Sequence, residues 1–498
     1  MEKVSPKPPS KTFSHATKCR RCRAAPIPKR KVFGKGVWGK NLSSERFFPS
    51  ILFFILIAHS SPVMSQHHTN HATGTCAFIT LGCKVNQYDT QAIREQLVAA
   101  GYREVPADAP ADVYVINTCA VTSMSDAKGR KYTRRVARQN PAAKVVVTGC
   151  SVDSDPRLAD KLADAVGPGN LLMIGNESKL SVASLVARGE AGPACNTWSA
   201  GISSFEGHTR AFVKVQDGCN NFCAYCIVPY VRGRARSRPI ESIVEEARRL
   251  ADAGHREIVL AGIHVGHYGR DGGPDLADVV ERLDGIEGFR RLRLSSIEAT
   301  EVTDRLVELA AGSKLCPHFH LPLQSGSDAV LARMNRRYTA AEFVAVTEKI
   351  AQKIPQASFT TDVLIGFPGE TEEDYERTEA LCREVGFCRT HVFPYSDRPG
   401  TAAAAMPDKC SSRAVADRKQ RLIAAAKDTA LAYKKQFLGA EAEVLVEARR
   451  DRWGKLCGYT DRYVKVLFDG PDSLKGEFVT VLLKDAEPEI MRGSVAEL

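Results

Sequence analysis

Cys219, Cys223 and Cys226 stand in the string VQDGCNNFCAYCIVPYVRGRARSRP, three thiols within eight residues on a loop rich in Gly and Asn. Such a loop can wrap one face of a cuboidal iron–sulfur cluster, giving three ligands to four irons and leaving the fourth open to a substrate atom. A structural zinc site asks for four ligands, closed, usually as two separated pairs. A second trio is dispersed but repeats one local design. Cys83 ends AFITLGC, Cys119 ends VYVINTC and Cys150 ends KVVVTGC, each closing a short β-branched apolar run. Side chains at the carboxyl ends of parallel strands converge on one edge, where open α/β sheets place their ligands. The competing reading is a cysteine used as a small buried hydrophobe. It applies fully to Cys76, Cys195, Cys316, Cys382, Cys388, Cys410 and Cys457, which share no such pattern. An odd count of 15 cysteines at irregular spacing argues against a secreted disulfide framework.

The elements that must hold these thiols follow from periodicity. Helical sequence follows at least the first two strands of the dispersed trio, so an open parallel sheet is expected over 74–187. From 205 to 434 the chain reads as strand–helix units. The strands are FVKVQ (212–216), EIVLAG (257–262), RLRLSS (291–296), HFHLPL (318–323), TTDVLIGF (360–367) and THVFPYS (390–396). Helices are expected from Ile240 to a stop near Gly254, at 275–284, near 304–311, and at 372–385 before Gly386. Six units make a partial (β/α)6 barrel rather than the closed eight, with the cysteine loop after the first strand, at the face where barrel chemistry belongs. Residues 437–498 switch to short alternating strands, a small antiparallel β-barrel. Lys455, Tyr459, Arg462, Tyr463 and Lys465 interleave cations and aromatics there, a pattern able to track a nucleic-acid backbone, although a solvated strand face gives the same pattern. The whole is α/β. No Walker loop and no convincing Gly-x-Gly-x-x-Gly turn is present, which disfavours nucleoside triphosphates and dinucleotides.

With 498 residues, 44% apolar and 26% charged, the composition is globular and excludes disordered and collagen-like classes. The net charge of +11 is carried by residues 1–63, which hold 13 Lys/Arg against Glu2 and Glu45, so the remaining chain is neutral. Any polyanion partner is therefore met by local patches. Residues 1–63 show no fold period. Their apolar run Phe47–Ala58 contains Pro49 and is too short to span a bilayer, which takes about 20 residues. An export signal, a weak anchor and an over-extended start compete; the start is favoured at Met64, with 1–63 disordered. Cys19 and Cys22 lack two further zinc ligands, and His67, His68 and His71 are read as solvated.

From Cys76 onward the chain resembles the radical S-adenosylmethionine (SAM) methylthiotransferases. The three-plus-two cysteine spacing, with Tyr225 before the last thiol, matches the radical-SAM signature. TLGCKVNQYDT (80–90), INTCAVT ending at Thr122, LPLQSGSD (321–328), MNRRYT (334–339) and DVLIGFPGET (362–371) match family strings. The first two are most similar to the subgroup acting on threonylcarbamoyladenosine at position 37 of tRNA. The isopentenyladenosine subgroup typically carries Gln-Met-Asn where this chain has Lys84-Val85-Asn86. Ser151-Val152-Asp153 departs from the aromatic-containing sequence common after the third cysteine.

The resemblance implies an N-terminal domain whose Cys83, Cys119 and Cys150 hold an auxiliary 4Fe-4S cluster carrying the sulfur to be donated. It implies a core whose Cys219, Cys223 and Cys226 hold the SAM-cleaving 4Fe-4S cluster, and a C-terminal RNA-binding TRAM barrel. One SAM methylates the sulfur and a second supplies the radical that activates carbon 2 of the adenine. Tyr225 is expected near SAM; Glu298, Gln324 and Ser325, at strand ends, are expected either to contact SAM or to be polar residues of the barrel rim. Arg232, Arg234, Arg236 and Arg238 are expected to meet tRNA phosphates or the base, or to form a solvated basic loop. The expected partners are the tRNA anticodon loop and an external electron donor, in the cytoplasm, without stable membrane association. Isopentenyladenosine or a ribosomal-protein aspartate as substrate, a non-catalytic iron–sulfur RNA-binding or redox-sensing protein, and a zinc scaffold remain as alternatives.

Overall fold

Residues 73–496, apart from 168, 190–197, 199 and 200, are described by a computed structural model. The leader with Cys19 and Cys22, the start at Met64, His67, His68, His71 and Cys195 lie outside the described residues.

The first sheet is built from β1 (Gly74–Thr80), β2 (Tyr102–Glu104), β3 (Val113–Thr118), β4 (Lys144–Gly149) and β5 (Leu171–Ile174), all parallel in the order β2-β1-β3-β4-β5. Between them run α1 (Lys84–Ala99), α2 (Ser123–Gln139), α3 (Cys150–Ser154) and α4 (Leu158–Ala163), with α5 (Val182–Arg188) after β5. Every residue of β3 is buried, as a strand covered on both faces demands. Register pairs Thr80 with Asn117 and Asn117 with Thr148, so β1, β3 and β4 end together. Cys83 is the N-cap of α1, Cys119 follows β3, and Cys150 opens α3.

The second unit contributes β6 (Arg210–Lys214), β7 (Gln216–Asp217), α6 (Val228–Arg232), β8 (Arg236–Ser237), α7 (Ile240–Asp252), β9 (Glu257–Ala261), α8 (Leu276–Asp284), β10 (Arg291–Leu294), α9 (Asp304–Gly312), β11 (His318–His320), α10 (Asp328–Arg333), α11 (Ala340–Lys353), β12 (Ser358–Ile365), α12 (Glu372–Val385), β13 (Arg389–Pro394) and α13 (Ser412–Lys435). Sheets β10-β9-β6 and β11-β12-β13 meet through a parallel bridge between Leu292 and Leu315. Six parallel strands therefore curve in the order β6-β9-β10-β11-β12-β13, open between β6 and β13, and α1 lies against β6 at that opening. The helices carry the expected punctuation: α12 starts on a Thr371–Asp374 capping box and ends at Gly386 in the left-handed region. β11 is half its expected length. β11 stops at His320 because Pro322 has no N–H to give and Gln324, at φ 63°, turns the backbone before it rejoins β12 beside Val363.

The C-terminal strands β14 (Glu441–Val446), β15 (Leu456–Tyr459), β16 (Lys465–Phe468), β17 (Phe478–Ala486) and β18 (Met491–Val495) close into a barrel in the order β14-β15-β16-β18-β17. It is not wholly antiparallel as expected: β16 and β18 pair in parallel.

Candidate active site

The loop after β7 folds around its own sulfurs. Gly218 sits at φ 74°, and a Cβ there would fall 2.0 Å from the Arg234 carbonyl, so only glycine fits. Phe222, also left-handed at φ 49°, carries the backbone over so that the Asn221 N–H faces the Cys219 sulfur at 3.5 Å. Ala224 donates to the Met334 carbonyl at 2.9 Å, and Asn335 holds the Phe222 carbonyl at 3.0 Å. Cys219, Cys223 and Cys226 then line a cavity of about 160 Å³ with Tyr225, Glu298 and Gln324. Arg336 donates to the Cys223 sulfur at 3.5 Å and pairs with Glu298 at 2.8 Å; Asn221 donates to the same Glu298 oxygen at 2.8 Å. His264 Nδ1 lies 3.6 Å from the Cys219 sulfur while its Nε2 meets Glu301 at 2.6 Å. Burial disfavours the charged imidazole, but the hydrogen bonds to Cys219 and Glu301 outweigh it and raise His264 to about 9. Burial pushes the Cys226 thiol up to about 12.

Tyr225, Glu298 and Gln324 thus line the cavity with the three thiols. Ser325 does not. Its side chain is fully buried against Thr378 at 3.2 Å and accepts the Ser327 N–H, a turn-building role away from the thiols. His264, Glu301 and Arg336 were missed. Arg336 lay in the quoted string MNRRYT without a role, and nothing local marks the other two.

The dispersed trio meets at one sheet edge. Gly82, at φ 99°, leaves room for Cys119, whose sulfur would sit 2.8 Å from any added Cβ. Gly149, at φ 92°, passes against the Thr118 carbonyl and turns the chain directly into Cys150. Burial raises the Cys119 thiol to about 11; its neighbours Cys150 and Cys83 add to the shift, and the Val121 N–H 3.5 Å away opposes it.

Helix α6 joins the two sites. It begins two residues after Cys226, packs Ile227 and Val231 against Ala120 and Cys150, and ends at Arg232, whose Nε donates to the Cys150 sulfur at 3.4 Å. Five helical residues rise about 7.5 Å, which sets the scale of the separation. Arg232 is buried, held by Asp217 at 3.0 Å, Asn86 at 2.5 Å and Asp89 at 3.3 Å. Lys179 and Lys214 each reach Asp89 at 2.8 Å, and Lys214 reaches Asp217 at 2.8 Å. Three cations and two carboxylates leave one net positive charge buried beside Cys150. Burial works against ionisation of Asp89, but Lys179, Lys214 and Arg232 outweigh it and hold the carboxyl well below its usual range.

The expectation of a basic loop needs correction for two of its four arginines. Arg232 serves the network above, and Arg238 is buried against Glu246 and Tyr88, tying α1 to the core. Arg234 and Arg236 are exposed, with Arg234 over the Phe222 ring at 4.7 Å. The C-terminal set divides as well. Tyr463, left-handed at φ 62°, stacks on His318 at 4.9 Å and on Tyr459 at 4.7 Å, with Arg293 4.8 Å above its ring. Arg210 covers both tyrosines, and Ser358 donates to the Arg462 carbonyl at 2.6 Å. Arg210, Arg293, His318 and Ser358 lie in or at the first residues of their strands, so Tyr459, Arg462 and Tyr463 pack on the floor of the barrel, while Tyr459 and Tyr463 also line the groove that Lys465 opens onto. Lys455 pairs with Asp469 at 2.7 Å, while Lys465 opens onto a groove of about 620 Å³ with Arg389, Arg452 and Trp453. Trp453 is 54% exposed, under Arg452 at 4.0 Å.

Comparison with known proteins follows the same division. The Radical SAM superfamily matches residues 213–382, the TRAM domain 435–496, and the Uncharacterized protein family UPF0004 residues 75–167. The chain is 40% identical over 432 residues to the threonylcarbamoyladenosine tRNA methylthiotransferase MtaB of Bacillus subtilis, covering 83% of this chain and 95% of the relative. It is 42% identical to the protein of that name from Chlamydia pneumoniae, over 85% and 98%. The chain belongs to the radical-SAM methylthiotransferases. A tRNA-2-methylthio-N(6)-dimethylallyladenosine synthase of Pelotomaculum thermopropionicum is 37% identical, over 82% and 94%.

Methylthiotransferases work with SAM and iron–sulfur clusters, and both donor sets fit such clusters. Each brings three thiols together with N–H donors aimed at sulfur: Arg336, Asn221 and His264 at the loop, Val121 and Arg232 at the sheet edge. The rival grouping of Cys219 with His264 and His267 would use one thiol of three, and His264 Nε2 is already held by Glu301. Among the described residues no helix is long and apolar enough to cross a membrane.

Proposed function

We propose that the chain is a tRNA methylthiotransferase that converts threonylcarbamoyladenosine at position 37 of tRNA to its 2-methylthio form, in the cytoplasm, with electrons from an external donor. The observation that carries this reading is the pair of three-thiol sites one short helix apart, in a chain similar along most of its length to relatives named for that reaction. When bound, SAM and the clusters supply the sulfur, the methyl group and the radical that an aromatic C–H without an acidic proton requires. The protein's own residues do the holding. Arg336 and Asn221 fix Glu298 at the cavity, and Arg336, His264 and Arg232 present hydrogen-bond donors to ligand sulfurs. Arg389, Arg452, Lys465 and the exposed Trp453 offer the RNA a cationic groove with a stacking ring. Arg234 and Arg236 add cations beside the cysteine loop.

Mass spectrometry of tRNA nucleosides from cells with and without the gene tests this. Loss of the 2-methylthio form of threonylcarbamoyladenosine is expected. Loss of methylthio-isopentenyladenosine instead would move the protein to the sister subgroup, and an unchanged profile would overturn a tRNA substrate.

A further inference from the structure

The inner wall of the barrel next to its opening is polar. β11, β12 and β13 present His320, Thr360, Asp362 and His391, paired by register as His320 with Thr360 and Asp362 with His391. His320 Nδ1 bonds Thr360 Oγ1 at 2.9 Å and its Nε2 meets Asp362 at 3.3 Å, with the His391 ring 6.3 Å away. Deeper in, His318 stacks on Tyr463, and its buried Nδ1 has no partner. A hydrocarbon substituent would leave that nitrogen unpaired, at a cost.

Lys84 belongs to the helix at the other side of the opening. It is the first residue of α1, next to Cys83, and α1 packs on β6. The side chain is half-buried, and among the described residues nothing pairs with its ammonium. Its charge reaches the wall. Burial and nearer cations lower His318 and His391, and Lys84 adds to both; at Tyr463 burial raises the phenol, and Arg210, Lys84 and Arg293 outweigh it. Of the other cations acting there, Arg293 is held by Glu257 and Arg210 by Glu447. Among the described residues two remain without a carboxylate partner: Arg389, exposed at the start of its strand, and Lys84, half-buried beside the thiol that begins the sheet-edge site.

We propose that Lys84 determines substrate choice by pairing with a carboxylate on the N6 substituent of the target adenosine. This rests on the functional reading above and deepens it. The carboxylate of the threonylcarbamoyl group seats on the ammonium, with His391 and the unpaired nitrogen of His318 available to the rest of the substituent. The purine is then held next to Cys83, where sulfur is delivered.

The test uses the full chain with reconstituted clusters and two anticodon stem-loop RNAs, one carrying threonylcarbamoyladenosine and the other its methyl ester. A hydrogen-bonded charge pair contributes about 1.5–3 kcal/mol, so Lys84→Met should raise KM for the acid about 10- to 100-fold. The dissociation constant, read by fluorescence anisotropy, should move with it. kcat, iron content and KM for the ester should stay at wild-type values, and Lys84→Arg should restore binding of the acid. Equal loss on both RNAs, or no loss on the acid, overturns the proposal while leaving the functional reading in place. No methylthio product from either RNA with the wild-type protein overturns that reading and the proposal together.

Discussion

The two three-thiol sites solve one problem by opposite means. At Cys219, Cys223 and Cys226 the thiols are neighbours in sequence, and the loop is shaped by its own left-handed residues, Gly218 and Phe222. At Cys83, Cys119 and Cys150 the thiols are dozens of residues apart and meet only because β1, β3 and β4 end in register. A local loop keeps its ligand geometry under small changes elsewhere, whereas a sheet-edge site is as accurate as the pairing that builds it. Both sites are backed by buried charge: Arg232 with Asp89 and Asp217 at the sheet edge, Arg336 with Glu298 and His264 with Glu301 at the loop.

The largest effect should come from removing each set in turn. Reconstituted protein should hold about eight irons, and Ala at Cys219, Cys223 and Cys226 should remove about half and abolish SAM cleavage. Ala at Cys83, Cys119 and Cys150 should remove the other half, spare some 5′-deoxyadenosine formation and eliminate methylthio product. Iron assay and product chromatography separate the two, and identical phenotypes would break the division of labour. Next in size, Arg232→Met removes the hydrogen bonds to Asp217, Asn86 and Asp89 and should cost about 1.5–3 kcal/mol in urea unfolding. Iron should be lost from the sheet-edge site first, leaving SAM cleavage in place; loss from the loop site alone would contradict the asymmetry.

The network also sets a pH signature. Asp89 has a folded pKa below its unfolded value of about 3.9, so its contribution is complete above that pH and fades as acid protonates the folded carboxyl. Unfolding measured between pH 5 and about 2 should show a steeper acid loss for wild type than for Asp89→Asn. Parallel curves would remove Asp89 from the network. The smallest effect concerns RNA: Trp453→Ala should weaken tRNA binding about tenfold without altering SAM cleavage, as loss of one stacked base does. Unchanged binding would place the RNA elsewhere.

How legible all this was depended on sequence distance. The loop cysteines, the strand-end cysteines and six β/α units could be read because spacing and periodicity are local signals. Arg232 and Arg238 looked like members of a basic run because their carboxylate partners, Asp89, Asp217 and Glu246, lie on other elements. Lys84 was noted only as a difference from a sister subgroup; its free charge appears once α1 is set beside β6. The His264–Glu301 pair leaves no trace in sequence, since neither residue sits in a spaced motif.

Tyr463 makes the C-terminal barrel a stopper as well as an RNA-binding appendage. A tail exchanged between relatives must bring a finger that fits its new host's floor, so hybrids joined after α13 should fail by leaking solvent into the core before they fail in RNA recognition. Tail and core are in this sense a single inherited unit, and a truncation that seems to ask about RNA asks first about the barrel.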